Sequence, residues 1–493
     1  MRVAVIGAGL GGLSAAARLV GRGHQVTIYE REYIPGGRAG VVKEAGFALD
    51  NGPTVLTMPR MLSDTFESAG KDMADYLTLD RVDPMYRATF QDGSTIHLRH
   101  GREAMAAEIR EVAGPVEAEG FDEFCDWVTE LYRLEMPNYI DTNYDSFTDL
   151  IKPWNAAIKL VRLGAFGKLS RKVDSFFDDD RLQRLFSFQS MYAGVAPHNA
   201  LALFSVITYM DSIEGVFAAP GGMHSVSRAL AKAVVDAGCE IRYGNPISRI
   251  MRGADDSVTG VEIAGSTRVA FDAVVCNADL PVAYSTLLGG VERPRMARRG
   301  QYSPSCLLWV AGVKGPPPDA AARHNLHFGS QWKRALDDVT RRGVRMSDPS
   351  LFVSVASDHG TVPAGHSSLY ALEMMPNLGG KIDWSKRREE YSSDLRKRVD
   401  FLGYNVDVAV ERIYDPLDWE SVGLHQGTPF SLAHTLRQSG PFRPRNVDSR
   451  VPGLVFVGSG TSPGVGVPMV LISGKLAADR VEQYARATAT VRW

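Results

Sequence analysis

The first thirty residues combine two short apolar runs with a helix-type pattern between them. Residues 3–6 are uniformly apolar, residues 10–20 are rich in Ala and Leu, and residues 25–29 return to β-branched and aromatic side chains. Glycines follow the first run, and Gly21 and Gly23 interrupt the helical pattern. Because glycine breaks regular structure, the pattern predicts a strand, a helix and a second strand.

The same patterns divide the rest of the chain. Helix formers dominate residues 121–212, and residues 224–237 and 472–484 predict single helices. Short apolar runs predict further strands at residues 240–243, 258–263, 268–271, 273–276 and 453–458. We therefore expect an α/β domain assembled from the beginning, middle and end of the chain, with other layers inserted.

Composition and charge narrow the class of protein. The chain has 493 residues with 44% hydrophobic and 23% charged side chains, and its net charge is −2. No global basic field favours a nucleic-acid partner. The four cysteines form no CxxC pair, so we expect neither a disulfide framework nor a metal site, and a reducing compartment. We also expect no signal peptide and no transmembrane helix, because the most apolar window, residues 200–210, is about half the ~20 residues that span a bilayer.

The first motif that indicates chemistry is the GxGxxG run at residues 7–12. Gly7 permits a tight turn, Gly9 lets the backbone approach a diphosphate, and Gly12 allows the helix to pack closely on the strand. The acidic Glu30 follows Gly12 by 18 residues, at the end of the next predicted strand, where it can accept hydrogen bonds from ribose hydroxyls. Strand, helix and acid together predict a dinucleotide site.

Two further motifs are rich in glycine. Gly36-Gly37-Arg38 offers close backbone approach and a guanidinium fork suited to phosphate, and residues 50–54 (DNGPT) follow it. Near the carboxyl end, residues 458–469 combine glycines with short side chains, which leaves room for a flat ring against the backbone, and a helix predicted to begin near Val470 points its positive end there.

With these motifs, the chain resembles bacterial-type phytoene desaturases of the FAD-dependent carotenoid desaturase family over nearly its whole length. The blocks at residues 186–190, 215–222, 276–279 and 442–446 are also similar to that family. The resemblance implies FAD-dependent removal of hydrogen from a C40 polyene, phytoene, in several steps to neurosporene or lycopene. The residues expected to bind FAD are Gly7, Ala8, Gly9, Gly12, Glu30, Gly37, Arg38, Gly52, Pro53, Thr54, Ile247, Gly458, Gly466, Val467 and Met469.

The predicted fold class is α/β, with a Rossmann-type (GR2-like) FAD-binding domain, an inserted mixed-sheet substrate domain and a helical, membrane-associated region. The FAD-binding domain is expected at residues 1–85, 220–290 and 450–493. The substrate domain is expected at residues 86–120 and 291–449, and the helical region at residues 121–219.

The expected chemistry needs an apolar channel and a proton acceptor. Desaturation proceeds most simply by hydride transfer from an allylic carbon to flavin N5, followed by loss of a proton from the neighbouring carbon. The resemblance implies that Asp149 and Lys152 are the active-site pair, although the family has arginine at the second position. The alternative is a helix-capping Asp149 with a solvated Lys152. His198, Asp211 and Glu214 are weaker candidates.

A membrane contact is expected because the substrate is insoluble in water. Residues 151–173 carry six Lys or Arg and no acid, and Trp154, Ile158, Val161 and Ala165 fall on one helical stripe. This pattern is typical of a basic amphipathic helix lying on an anionic bilayer, while a basic surface helix packed on the core is the alternative. We expect a peripheral protein on the cytoplasmic face of the cell membrane.

Several alternatives remain open at this point. A later-pathway desaturase and a redox-neutral carotenoid isomerase or saturase would share the same motifs. A flavin amine oxidase would need an aromatic cage beside the flavin, and a lipid carrier of the same fold would have a degraded cofactor site. Quinone or oxygen is the expected electron acceptor, and the oligomeric state is open.

Overall fold

The computed structural model describes residues 1–358 and 360–491. Its strands are β1 (Arg2–Ile6), β2 (Gln25–Tyr29), β3 (Val41–Glu44), β4 (Phe47–Asp50), β5 (Asp80–Arg81), β6 (Tyr86–Thr89), β7 (Thr95–Leu98), β8 (Phe217–Ala218), β9 (Glu240–Arg242), β10 (Ile247–Arg252), β11 (Val258–Ile263), β12 (Thr267–Ala270), β13 (Ala273–Cys276), β14 (Ser305–Lys314), β15 (His324–His327), β16 (Leu351–Ala356), β17 (His366–Met375), β18 (Val408–Tyr414) and β19 (Leu454–Phe456).

The α-helices alternate with these strands and also form a layer of their own. They are α1 (Leu10–Gly21), α2 (Pro59–Ser68), α3 (Arg102–Val112), α4 (Pro115–Glu135), α5 (Trp154–Arg162), α6 (Leu169–Val173), α7 (Asp180–Leu185), α8 (Ser205–Thr208), α9 (His224–Asp236), α10 (Leu280–Val282), α11 (Arg295–Arg299), α12 (Trp332–Asp337), α13 (Trp384–Phe401), α14 (Pro416–Ser421) and α15 (Val467–Val491). Short π-helical turns continue α4 at Met136–Ile140 and α8 at Tyr209–Ile213.

A five-stranded parallel sheet with the order β19-β13-β1-β2-β9 forms the first layer. All four residues of β13, and all but the first of β1, are buried, because helices cover one face and a smaller sheet covers the other. Helices α1, α9 and α15 pack on the first face, and the antiparallel sheet β10-β11-β12 packs on the second. The predicted strand–helix–strand at the amino end is confirmed as β1, α1 and β2.

A seven-stranded mixed sheet forms the second layer, in the order β18-β14-β17-β16-β15-β6-β7. Only the β15–β6 pair within it is parallel. Burial alternates residue by residue along β17, so one side of the sheet packs under α13 and the other faces inward. The α/β class with mixed sheets is therefore confirmed, while the domain boundaries given above stay a prediction.

A helical layer built mainly from α4 to α8 covers the open side of this sheet. Its core is an aromatic cluster that includes Phe121, Phe124, Phe177 and Phe186. Within the described ranges, no helix is both long enough and apolar enough to pass through a bilayer.

The structure shortens the amphipathic helix that the stripe at residues 154–165 predicts. Helix α5 ends at Arg162, where Gly164 takes a φ of 73°. The amide of Gly164 donates to Val161 O and that of Ala165 to Leu160 O, which is the hydrogen-bond pattern of a Schellman C-cap. Ala165 is therefore buried beyond the helix end and does not extend the stripe of Trp154, Ile158 and Val161.

Candidate active site

One cavity of about 1400 Å³ lies between the parallel sheet, the seven-stranded sheet and the helical layer. Pockets for a single small ligand are usually about 300–1,000 Å³. This cavity is larger, so it has room for a dinucleotide together with a second, extended ligand. Its two ends differ in chemistry: glycine-rich backbone lines one end, and apolar side chains line the other.

The turn between β1 and α1 builds the first part of the glycine-rich end. Gly7 and Gly9 line the cavity, and Gly7 has a φ of 97°. In the part of the chain that the structure describes, no side chain caps the first turn of α1, so its amide groups can donate to an anion in the cavity. Gly12 does not line the cavity; a Cβ there would overlap the carbonyl oxygen of Gly7, so its role is close packing of α1 on β1.

Glu30 stands immediately after β2 and is only 6% exposed. Its carboxylate accepts hydrogen bonds from the amides of Ala8, at 2.6 Å, and Glu32, at 3.0 Å. A carboxylate offers about four acceptor positions, so it keeps capacity for ribose hydroxyls. Ala8, which was predicted to contact FAD, lies outside the cavity lining and instead orients Glu30 through its amide.

Arg38 joins three separate segments at the same end of the cavity. It contacts Asp279 at 3.3 Å and donates to the hydroxyl of Ser459. The second carboxylate oxygen of Asp279 accepts from the amide of His425 at 3.0 Å. Burial lowers the pKa of Arg38 from its ordinary value, and Asp279 opposes that shift, so the guanidinium stays charged.

The segment at residues 50–54 closes over Arg38. Asp50 accepts from the amides of Met223, at 2.6 Å, and His224, at 3.0 Å, and thereby ties the segment to the start of α9. Burial raises the pKa of Asp50 to about 6. A side chain at Gly52 would overlap the carbonyl of Arg38, so the close approach of these two backbone segments requires glycine. The predicted residues Gly52, Pro53 and Thr54 line the cavity beside it.

The carboxyl-terminal loop forms the opposite wall. Gly458, Gly466, Val467 and Met469 line the cavity, as does Ile247 from β10, and α15 begins at Val467. Fully buried Arg443 holds this loop, because its guanidinium donates to Ser459 O at 2.6 Å and to Thr461 O at 3.0 Å. Burial lowers the pKa of Arg443 to about 10.

Three residues of this end were not among the predicted site residues. Asn277 packs against Gly7 and Gly9, Asp279 pairs with Arg38, and Arg443 braces the loop. Asn277 and Asp279 belong to the block at residues 276–279, and Arg443 to the block at residues 442–446. Those blocks supported the resemblance, but their spacing alone indicates no partner for them.

Apolar side chains dominate the other end, which we call the apolar chamber. The inner face of the seven-stranded sheet and the helical layer supply them, among them Phe188, Leu203, Ile207, Leu308, Phe352 and Leu372. Two acids, Glu135 and Asp211, are buried in this lining. Burial raises the pKa of both carboxyls, that of Asp211 to about 7.

The predicted catalytic pair lies beside the cavity and does not line it. Asp149 accepts from the amides of Asp145 and Ser146, each at 2.8 Å, and forms an ion pair with Lys152, whose side chain is 72% exposed. These contacts lower the pKa of Asp149, with the bond from Lys152 contributing most. Leu150, between the two, does line the cavity. The catalytic role of this pair stays a prediction.

The three weaker catalytic candidates differ in their position relative to the cavity. His198 pairs with Asp337 at 2.8 Å, away from the cavity lining, and Glu214 is also outside it. Asp211 is the one of these three that faces the cavity among the described residues.

The glycine-rich end fits FAD by its own geometry. Uncapped helix amides and the half-buried guanidinium of Arg38 suit a diphosphate, and a buried acid at the end of β2 suits a ribose. The close backbone approaches at Gly12 and Gly52 exclude any side chain.

Comparison with known proteins agrees with this geometry. Residues 10–482 match the family of flavin containing amine oxidoreductases. The chain is 44% identical to a phytoene dehydrogenase of Streptomyces griseus, over 97% of this chain and 94% of that protein. It is 34% identical to a zeta-carotene-forming phytoene desaturase of Myxococcus xanthus, over 99% of this chain and 95% of that protein.

Solved structures agree at the level of the fold. Putrescine oxidase bound to putrescine superposes with a TM-score of 0.58 at 17% identity, covering 99% of both chains. A Rab GDI of Plasmodium falciparum superposes with a TM-score of 0.54 at 10% identity, covering 98% of this chain and 97% of that one. The chain therefore belongs to the flavin-containing amine oxidoreductase family and, within it, to the FAD-dependent carotenoid desaturases.

Proposed function

We propose that the protein is a phytoene desaturase that introduces several double bonds into the C40 polyene to give neurosporene or lycopene. The observation that carries this proposal is one cavity in which the glycine-rich end and the apolar chamber are continuous. Curated relatives of the chain include lycopene-forming and neurosporene-forming phytoene desaturases.

FAD, when bound, supplies the oxidative half of the reaction by accepting a hydride from the substrate. In this proposal the amides of the first turn of α1 bind the diphosphate, Glu30 binds the ribose, and Arg38 and the loop at residues 458–469 hold the remainder. The other predicted FAD contacts also line the cavity, whereas Ala8 and Gly12 lie behind the lining.

The apolar chamber has three tasks in this reaction. Its side chains bind the hydrocarbon by excluding water from it, and they hold it extended against the cofactor wall. Exclusion of water also prevents addition of water to the positive charge that develops on the substrate. A carboxylate in or near the chamber then has to receive the proton.

Access to the chamber is proposed to be from a membrane. Exposed apolar side chains lie on α5, beside it, and in the segment at residues 436–442, and we call them the mouth patch: Ile151, Trp154, Ile158, Val161, Phe166, Leu436 and Phe442. Phe166, Leu436 and Phe442 also line the cavity. The exposed Lys152, Lys159 and Arg162 beside the patch suit an anionic lipid surface, which in the cell is the cytoplasmic face of the membrane. A quinone dissolved in that membrane, or oxygen, is the proposed final acceptor.

Expression in cells that accumulate phytoene tests the proposal. Coloured neurosporene or lycopene in extracted pigments is the expected result, and a Glu30→Ala variant with weakened FAD binding serves as the control. Unchanged phytoene beside a fully flavin-loaded protein would contradict the proposal and favour a later-pathway carotenoid as substrate. Consumption of a carotenoid without any added electron acceptor would instead favour the redox-neutral isomerase or saturase.

A further inference from the structure

Asp211 is an acid buried in the wall of the apolar chamber. It is 2% exposed, it lines the cavity, and it lies in the π-helical turn Tyr209–Ile213 that continues α8. Single π-helical turns are rare and occur frequently at functional sites. An acid in such surroundings is costly to bury, so its presence needs a reason.

Two hydroxyl groups orient the carboxylate of Asp211. Tyr86 on β6 donates to Oδ2 at 2.7 Å, and Ser212 donates to Oδ1 at 3.2 Å. The amide of Gln189 in turn contacts the Ser212 hydroxyl at 3.4 Å. Each carboxylate oxygen therefore has one protein donor and retains acceptor capacity.

Contacts on both sides connect Asp211 with the cofactor end of the cavity. Its neighbour Met210 packs in one hydrophobic cluster with Met58 and Met469, and Met469 lines the proposed FAD site. On the other side, the ring of His324 lies 5.6 Å from that of Tyr86 and faces the backbone of Thr54, another predicted FAD contact. The segment that carries Asp211 is thus linked through packed side chains to the predicted FAD site.

The groups packed around Asp211 are neutral or acidic. Tyr86 and Tyr192 face it from β6 and from the turn Phe188–Ala193, and burial raises the pKa of both phenols. His324 on β15 is held neutral by burial, which lowers its pKa to about 4. Glu214 follows on the same segment and has a raised pKa. Among the described residues, no basic side chain shifts the pKa of Asp211.

We propose that Asp211 is the proton acceptor of the desaturation, an inference that rests on the proposed function. A hydride leaves one substrate carbon with two electrons, which reduce FAD. The C–H bond of the adjacent carbon then breaks, its electron pair forms the new C=C bond, and the proton passes to a carboxylate oxygen of Asp211. The protonated acid returns the proton to solvent before the next cycle.

The ionisation of Asp211 suits this role. Burial raises its pKa, while the hydrogen bonds from Tyr86 and Ser212 oppose that shift, with a resulting value of about 7. A general base is most effective when its pKa lies near the working pH. Because only the ionised form accepts a proton, the rate is expected to rise with pH through about 7 and to level off above it.

The test compares Asp211→Asn with wild type and with Glu214→Gln, a matched change of a partly buried acid that does not line the cavity. Holoenzyme in liposomes receives phytoene without oxygen, and formation of the new C=C bond in a single turnover is followed by the absorbance of the lengthened polyene. Asp211→Asn is expected to slow this step by about 10²–10⁴-fold and to lose the pH dependence, while Glu214→Gln keeps both. Asp211→Glu is expected to restore part of the rate.

A positioning variant tests the same proposal without removing the acid. Tyr86→Phe removes a hydrogen bond that favours the ionised form, so the midpoint of the pH–rate profile is expected to move to higher pH. The infrared band of the protonated carboxyl gives a readout that does not depend on activity. It should titrate near pH 7 in wild type, at higher pH in Tyr86→Phe, and be absent from Asp211→Asn.

The outcomes separate this inference from the proposed function. Turnover of phytoene by Asp211→Asn at the wild-type rate would overturn the role of Asp211 and leave the function intact. An unmoved pH profile in Tyr86→Phe would overturn it as well. Failure of wild-type holoenzyme to oxidise phytoene would overturn the proposed function and the inference with it.

Discussion

The two ends of the cavity solve different physical problems. At the glycine-rich end, backbone amides and ion pairs form most of the polar surface. Glu30, Arg38 and Arg443 each already have a hydrogen-bond or ion-pair partner there. In the apolar chamber the surface is formed by side chains, and its buried acids have few partners; one oxygen of Glu135 has none among the described residues. The contacts of the first end suit tight binding of a cofactor, and in the proposed function the second end holds a hydrocarbon while a proton is transferred.

This difference predicts how the two ends respond to mutation. A change at the glycine-rich end alters the backbone and should remove the cofactor, with activity lost as a consequence. A change in or near the chamber should leave FAD bound and alter turnover or access. Flavin content and activity are measured separately in each variant. The two measurements together show whether a mutation removes the cofactor or only alters turnover or access.

The largest effect is expected for Gly12→Val. A side chain there overlaps the Gly7 carbonyl where α1 packs on β1, and overpacking of this kind costs about 1–3 kcal/mol or more. We expect purified protein without flavin and with a lowered melting temperature. Gly289→Ala, at a glycine with open space around it, is the control. A Gly12→Val protein with one FAD per chain would contradict the packing role.

Glu30→Ala is expected to weaken FAD binding by about 10–100-fold. The variant loses hydrogen bonds to a charged acceptor, which contribute about 1.5–3 kcal/mol. Titration of apoprotein with FAD, followed by flavin fluorescence, measures the dissociation constant. Glu67→Ala removes an exposed acid on α2 and should leave it unchanged. Equal FAD affinities for the two variants would show that Glu30 does not contribute to FAD binding.

Asp149→Ala is expected to keep FAD and to slow turnover by about tenfold, corresponding to ~1.4 kcal/mol. The same change removes a cap at the turn Phe147–Leu150 and should lower the free energy of unfolding by about 0.5–2 kcal/mol. Activity assays and urea unfolding measure the two effects independently. A destabilised variant with normal turnover would leave Asp149 with the capping role alone.

The smallest effect is expected at the mouth patch. Trp154→Asp places a charge on a side chain that is 63% exposed, and we expect several-fold weaker co-sedimentation with vesicles that contain anionic lipid. Flavin content and unfolding should not change. Phe401→Asp alters an equally apolar, 90% exposed side chain on α13, away from the patch, and is the matched control. Equal loss in both variants would indicate a general effect of charge.

The predictions from sequence were best where structure is local. The β1–α1–β2 unit follows from eleven glycine-punctuated helical residues between two apolar runs, and its interactions span few positions. The stripe at residues 154–165 predicts a helix that in the structure already ends at Arg162, and Gly164 and Gly167 carry the signal for this stop. Helical periodicity continued past the break because apolar and basic residues on both sides keep a compatible spacing.

The spacing of residues along the sequence does not predict which side chains of the site pair with each other. Arg38 meets Asp279 across 241 positions, and Tyr86 meets Asp211 across 125. Asp211 has no neighbour in sequence that marks it as functional, whereas Asp149 was selected from its resemblance to a family motif. Only the folded chain separates an acid that faces the cavity from one that caps a surface turn.

The sequence by itself determined the α/β class, the glycine-rich end and the FAD-binding chemistry, because these depend on backbone conformations that few residue types permit. The tertiary structure decided the shape of the apolar chamber, the position of the mouth patch, and which acid lines the chamber. Those properties depend on side chains that converge from distant strands and helices, and long-range packing is not encoded in any single stretch of the chain.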